Sequence, residues 1–105
     1  MPSDRVRVTH AVTLKPGATE DFLAAYQRIR ELVMSGRFGG HISHQLCHGT
    51  DAEDRWLITS EWSTEEDYDR WESDPEHREA TMPLRGLFAE AARPSRYRIE
   101  QEDTH

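Results

Sequence analysis

His10 and His44 are the two side chains of this sequence best suited to move a proton. They sit in two segments of alternating polarity, RVRVTHAVTL (5–14) and HISHQLCHGT (41–50), and each shares the side of its segment that carries valine, isoleucine or leucine. A neutral imidazole with a pKa near ~6.5 can accept a proton from a phenol or an activated C–H group at neutral pH. Ser60 and Trp62 have the matching parity in a third segment, 56–62, and Tyr68 and Trp71 follow at helical spacing. Flat rings suit a flat aromatic ligand by stacking, and a tyrosine hydroxyl can orient it. Tyr26, in the apolar stripe of an earlier helix, completes the set. The plain alternative is a core with two hydrogen-bonded histidines and packed rings, and Trp56 fits that description.

Other chemistry is poorly served. On a regular strand His41 points opposite to His44 and His48, and the latter two are separated by about 13 Å, so no local histidine triad can hold one ion without a bulge. A His10–His44 pair would need a carboxylate such as Glu61, which has the wrong parity. The single cysteine, Cys47, excludes an internal disulfide and a cysteine-based zinc site. There is no phosphate loop and no GxSxG. We expect no metal.

The elements that must position these groups read clearly. Val6, Val8, His10, Val12 and Leu14 alternate with Arg5, Arg7, Thr9, Ala11 and Thr13 as a strand over 5–14. Thr19 is expected to cap a helix whose stripe is Phe22, Ala25, Tyr26, Ile29, Leu32 and Val33, with Gly36 closing it. Gly39-Gly40 leads to the second strand, and a polar loop at 50–54 to the third. Thr64, with Asp67 three residues on, caps a short helix; Ser73-Asp74-Pro75 ends it and opens another. Met82-Pro83 precedes a further apolar segment (Leu84, Leu87, Phe88), and SRYRIEQ (95–101) reads as a last strand. The order β-α-β-β-α-β is the ferredoxin-like arrangement, α+β with an antiparallel sheet. Val6, Val8, Val12, Leu14, Ile42, Leu46, Trp56, Ile58, Tyr97 and Ile99 are expected under the helices. Ala11, Thr13, Cys47, Leu57 and Thr59 make the other sheet face half-apolar, which suggests a second subunit there.

The 105 residues are expected to form one domain, with residues 102–105 as a loose acidic tail. The net charge of −7 argues against a nucleic-acid partner. No apolar run reaches membrane-spanning length and Met1-Pro2-Ser3-Asp4 has no signal-peptide pattern, so a soluble, cytoplasmic protein is expected.

Arg37-Phe38-Gly39-Gly40 before the second strand, Trp62-Ser63-Thr64-Glu65, the aromatic Tyr68 and Asp74-Pro75 together resemble the antibiotic biosynthesis monooxygenase family. The resemblance implies ferredoxin-like protomers paired as a dimeric α+β barrel, with a pocket in each protomer between sheet and helices. The family's heme-degrading branch has an Asn where this chain has His10, a Trp matching Trp71, and a heme-ligating His where this chain has Ala80, with His77 one turn earlier. Heme is therefore not expected. The aromatic-polyketide oxygenase branch shares Trp62 and Tyr68, but has an Asn at Ile58 and an Arg near Thr81. The resemblance implies a cofactor-independent monooxygenase that uses molecular oxygen on a polycyclic phenolic or polyketide-like substrate. His10 or His44 would be the base, and Trp62, Tyr68, Trp71, Ser60 and Tyr26 would bind. The same fold also serves a non-catalytic ligand-binding dimer and a cyclase.

Overall fold

The computed structural model of the protein describes residues 4–104; Met1-Pro2-Ser3, part of the N-terminal reading above, and His105, the end of the acidic tail, lie outside them. Strand β1 (Val6–Thr13) leads to helix α1 (Thr19–Val33), β2 (His41–His48), β3 (Arg55–Trp62), α2 (Glu65–Ser73), α3 (Pro75–Arg85) and β4 (Pro94–Arg98). The four strands form one antiparallel sheet in the order β2-β3-β1-β4, with the helices on one face. This is the expected α+β, ferredoxin-like fold. Among the described residues no helix is long and apolar enough to cross a membrane.

Strand alternation dictates the core. Val6, Val8 and Val12 pair across β1–β3 with Trp62, Ser60 and Trp56, so one row of side chains faces the helices. Phe22, Tyr26, Ile29 and Val33 of α1, Tyr68 and Trp71 of α2, and Ala80 and Leu84 of α3 close on that row and are buried. Phe22 anchors the far end against Trp56, ring centroids 5.4 Å apart. The row is interrupted where His10 pairs with Ile58, and both remain half-buried between sealed neighbours. The opposite sheet face carries Arg7, Glu61, Thr59, Leu57 and Cys47. Glu61 is only 5% exposed there, because Arg5 and Arg7 reach it at 2.7 and 3.0 Å.

Two short helices replace one long one because Pro75 starts α3. Asp74 before it is extended (φ −67°, ψ 131°) and its Oδ1 accepts from the Glu76 and His77 amides at 2.9 and 3.3 Å. Arg37 grips the same carboxylate with both guanidinium nitrogens, at 3.1 and 2.9 Å. Thr64 caps α2 as expected, accepting from the Asp67 amide at 3.1 Å.

Several expectations are corrected. The N-cap of α1 is Ala18, without a side-chain bond, and Thr19 is already helical. The helix ends at Val33 with Met34 as its cap, so Gly36 serves the loop beyond, at φ 85°. A bulge between His41 and Ser43 inserts Ile42 as an extra residue. It turns His41 to the side of His44 and leaves Ile42 46% exposed rather than under the helices. Pro83 does not break α3, which runs on to Arg85. The last strand is Pro94–Arg98, not 95–101, and Arg7 pairs with Tyr97, which places that ring on the open face, 58% exposed. Ile99 lies past its end, its amide still donating to the Arg5 carbonyl at 3.0 Å. At the other end, Glu102 Oε1 lies 2.7 Å from an Arg5 guanidinium nitrogen.

Gly40 shows how tightly the α1–β2 connection meets α2. It has φ 85°, and a Cβ there would lie 2.1 Å from Asp67 Oδ2. Replacing Gly40 with Ala should destabilise the protein by at least about 1–2 kcal/mol, the strain of a left-handed backbone alone. Urea denaturation of the two proteins measures it, and an unchanged midpoint would show that neither the left-handed backbone nor the approach to Asp67 costs stability.

Candidate functional site

Where the row of core side chains is interrupted, a cavity of about 720 Å³ lies between sheet and helices. His10 and Ile58 form part of its floor, and α1 contributes Tyr26, Ile29 and Val33 on one side. Tyr68, Trp71 and Glu72 of α2 and His77, Thr81 and Leu84 of α3 stand opposite, and the 85–94 connection supplies another wall. The volume falls in the range of small-molecule sites, and the lining follows their habit of apolar walls with a few polar groups.

All seven residues singled out from the sequence, His10, His44, Ser60, Trp62, Tyr26, Tyr68 and Trp71, line this one cavity, and they come from five elements. The indole N–H of Trp62 donates to Ser60 Oγ at 2.9 Å, which fixes both. Trp62 meets Tyr68 edge-on at 5.8 Å and lies roughly parallel to Trp71 at 6.1 Å. Phe38 braces Trp71 from behind, edge to face at 4.7 Å.

The two histidines differ in availability. The Tyr26 hydroxyl bonds His44 Nε2, and the two rings stack at 5.5 Å with 12° between planes. Among the described residues His10 Nε2 has the Tyr68 hydroxyl alone, at 3.5 Å, too long to occupy the nitrogen. Burial pulls the His10 pKa below its ordinary value, with His77 adding to the fall and Glu72 opposing it. Burial also pulls His44 down, to about 4, helped by His41 and Arg30. Burial pushes both phenols up. At neutral pH the cavity therefore holds neutral imidazoles and protonated phenols.

His77 and Glu72 line the cavity without having been picked out as members of it. His77 packs on Trp71 at 4.2 Å, and its Nδ1 lies 3.4 Å from the Glu72 carbonyl oxygen. Their place on the wall depends on the bend at Pro75. Ala80 is 1% exposed in the core and offers no donor atom to a heme iron. Among the described residues no group of three or more His, Cys, Asp or Glu side chains is arranged to hold a metal ion.

Three comparisons bear on this cavity. The sequence model of the antibiotic biosynthesis monooxygenase family matches residues 5–81. A 42.8 kDa protein in the whiE locus of Streptomyces coelicolor is 38% identical over 80 residues, 76% of this chain and 20% of that protein. Polyketide synthase CurD of Streptomyces cyaneus is 34% identical over 98 residues, 93% of this chain and 25% of CurD. The chain thus spans a fifth to a quarter of the length of these relatives. Among solved structures, SnoaB, a cofactor-independent oxygenase from Streptomyces nogalater, superposes with a TM-score of 0.83 at 19% identity. That superposition covers 95% of this chain and 97% of SnoaB and demonstrates a shared fold.

The lowered histidines make stability depend on pH with a definite sign. His10, His41, His44 and His77 all sit below their unfolded value of 6.5 in the folded protein. On acidification below about 6.5 the unfolded chain binds protons first, so their stabilisation is complete above that pH and is lost on going down. For His44 the loss continues to about 4, where the folded protein protonates too. The melting temperature should fall between pH 7 and pH 5, and His44→Gln should reduce that fall. A flat profile would mean the cavity is wet.

Proposed function

The chain belongs to the antibiotic biosynthesis monooxygenase family, and from that premise we propose that its cavity oxygenates a flat, polycyclic phenolic substrate of the polyketide kind without a cofactor. The observation that carries this reading is the convergence of a loosely held imidazole, two indoles and two phenols on one cavity of about 720 Å³. The name of CurD, a polyketide synthase, supports the substrate class, and the description of SnoaB supports chemistry without a cofactor.

His10 is the base in this reading. His44 Nε2 is already engaged by the Tyr26 hydroxyl, whereas His10 Nε2, with the Tyr68 hydroxyl 3.5 Å away, is open to take a proton from a ligand. The two cannot serve the same atom, since two strand spacings and two residues of stagger put their Cα atoms about 12 Å apart. His44 with Tyr26 therefore anchors one end of the ligand while His10 acts on the other. With an anthrone, His10 removes a proton from the reacting CH₂ and the electron pair stays on the ring system. The carbanion adds O₂, forming a C–O bond, and the peroxide is protonated. Loss of the second C–H proton with cleavage of the O–O bond leaves C=O and water, so CH₂ and O₂ become C=O and H₂O. Trp62, Trp71 and Tyr68 hold the rings and exclude water from the anion.

Oxygen uptake with 1,8-dihydroxyanthrone tests this. His10→Gln should lower kcat/KM by about 10²–10⁴-fold, the usual contribution of a general base, while Tyr26→Phe should act mainly on KM. Turnover that survives His10→Gln overturns the assignment of the base. Binding of the anthrone with no oxygen uptake by the unaltered protein would leave a ligand-binding module.

The same reading pairs two chains through the open sheet face. Leu57 and Tyr97 are exposed there and the Thr59 hydroxyl is buried without a partner. Glu61 is held by two arginines, so the middle of the face presents little uncompensated charge. Light scattering should give the mass of two chains, falling to one for Leu57→Arg. A single-chain mass for the unaltered protein would remove the dimer from the reading.

A further inference from the structure

Glu72 reaches the cavity wall from the last turn of α2, four residues after Tyr68. Its charge adds to burial in pushing the Tyr68 phenol up and favours a proton on His10. The Tyr68 hydroxyl lies 3.5 Å from His10 Nε2, and all three residues line the one cavity. Behind Glu72 stands Arg96 of β4, with Nη2 3.5 Å from Glu72 Oε1 and its guanidinium carbon 4.8 Å from the centre of the Tyr68 ring. Arg96 is itself held by Asp69 at 2.7 Å and Glu65 at 3.1 Å. The titratable groups that face His10 are therefore Tyr68 and Glu72 from α2 and His77 from α3, with Arg96 one layer out on β4.

We propose that Glu72 is a positioning residue for His10, holding the imidazolium that forms there through space along the cavity wall, with Arg96 setting how much of its charge reaches the cavity. In the step concerned an O–H or C–H bond of the ligand breaks, its proton passes to His10 Nε2, and its electron pair stays on the ligand. Glu72 remains a carboxylate throughout. The proposal rests on the reading of His10 as the base, but its central element, control of the His10 proton by Glu72, can be measured without a substrate.

The test is an NMR titration of the imidazole C–H resonances in the ligand-free protein and in Glu72→Gln, Glu72→Asp and Arg96→Gln. Glu72→Gln should lower the His10 midpoint by about half a pH unit or more and leave that of His44 in place. Glu72→Asp should fall between, and Arg96→Gln should raise the His10 midpoint. The opposite signs exclude a general loosening of the cavity. An unmoved His10 midpoint in Glu72→Gln, or His10 and His44 moving together, overturns the proposal. With 1,8-dihydroxyanthrone, the acid limb of the kcat profile should move down with the His10 midpoint in Glu72→Gln while KM holds; a change in KM alone would make Glu72 a ligand contact and overturn the positioning role. A protein that turns over no anthrone still yields the titration, so failure of the oxygenase reading and failure of this one are told apart.

Discussion

Two of the helices that wall the cavity meet at a bend, and Pro75 sets it. Without an N–H and with its ring against the preceding residue, it forces Asp74 out of helical geometry. The bend then has to be held, since a free corner between two short helices would sample many directions. Asp74 holds it from both sides, capping α3 and bonding Arg37 on the α1–β2 connection. Arg37 also lies 4.3 Å over the Phe38 ring, whose other contact is Trp71. A surface ion pair in isolation is a weak restraint, but this one shares its carboxylate with a helix cap and its cation with a ring that braces the cavity wall. The orientation of Trp71 and His77 therefore follows from a contact outside the cavity.

The sheet separates two electrostatic regimes. On its helix side the ionisable groups meet few charges, burial is the first cause of every imidazole and phenol shift in the cavity, and the neutral forms win. On its open side Glu61 is buried as well, and there Arg5 and Arg7 pair with it at 2.7 and 3.0 Å. The difference matters for chemistry. An imidazole in a cavity with few charges protonates readily only where a charge of opposite sign stands near it, and Glu72 is a carboxylate on this cavity's wall.

Much of this was legible in the residues. The strict alternation of 5–14, the Thr64 cap and Asp74-Pro75 fix two strand faces and the corner, and strand parity alone placed His10, His44, Ser60 and Trp62 together. What stayed hidden depends on pairing between distant segments. The bulge at Ile42 is set by how β2 must register on β3, and with it the direction of His41. Alternation in 95–101 is real, but only pairing with β1 decides which parity faces the helices, and Arg96 takes that side because its long stem can cover Tyr68 while its head meets three carboxylates. Glu72 and His77 were illegible for a related reason: on two short helices at an angle, helical spacing does not say which residues meet across the bend.

The walls of the cavity differ in origin. The floor and the two helical sides come from residues 5–81, the stretch the family pattern matches, whereas Leu84, Arg85, Phe88 and the run from Ala89 to Pro94 lie beyond it. The shared stretch carries the imidazoles, indoles and phenols of the cavity. The remainder is an irregular connection tied down mainly at Leu14, which bridges to Phe88, and at Thr13, whose carbonyl accepts from the Ala89 amide at 2.8 Å. Connections of this kind change in length and sequence without disturbing the sheet. The wall that varies most easily in length and sequence is therefore this connection, while the floor and most of the helical sides belong to the shared stretch.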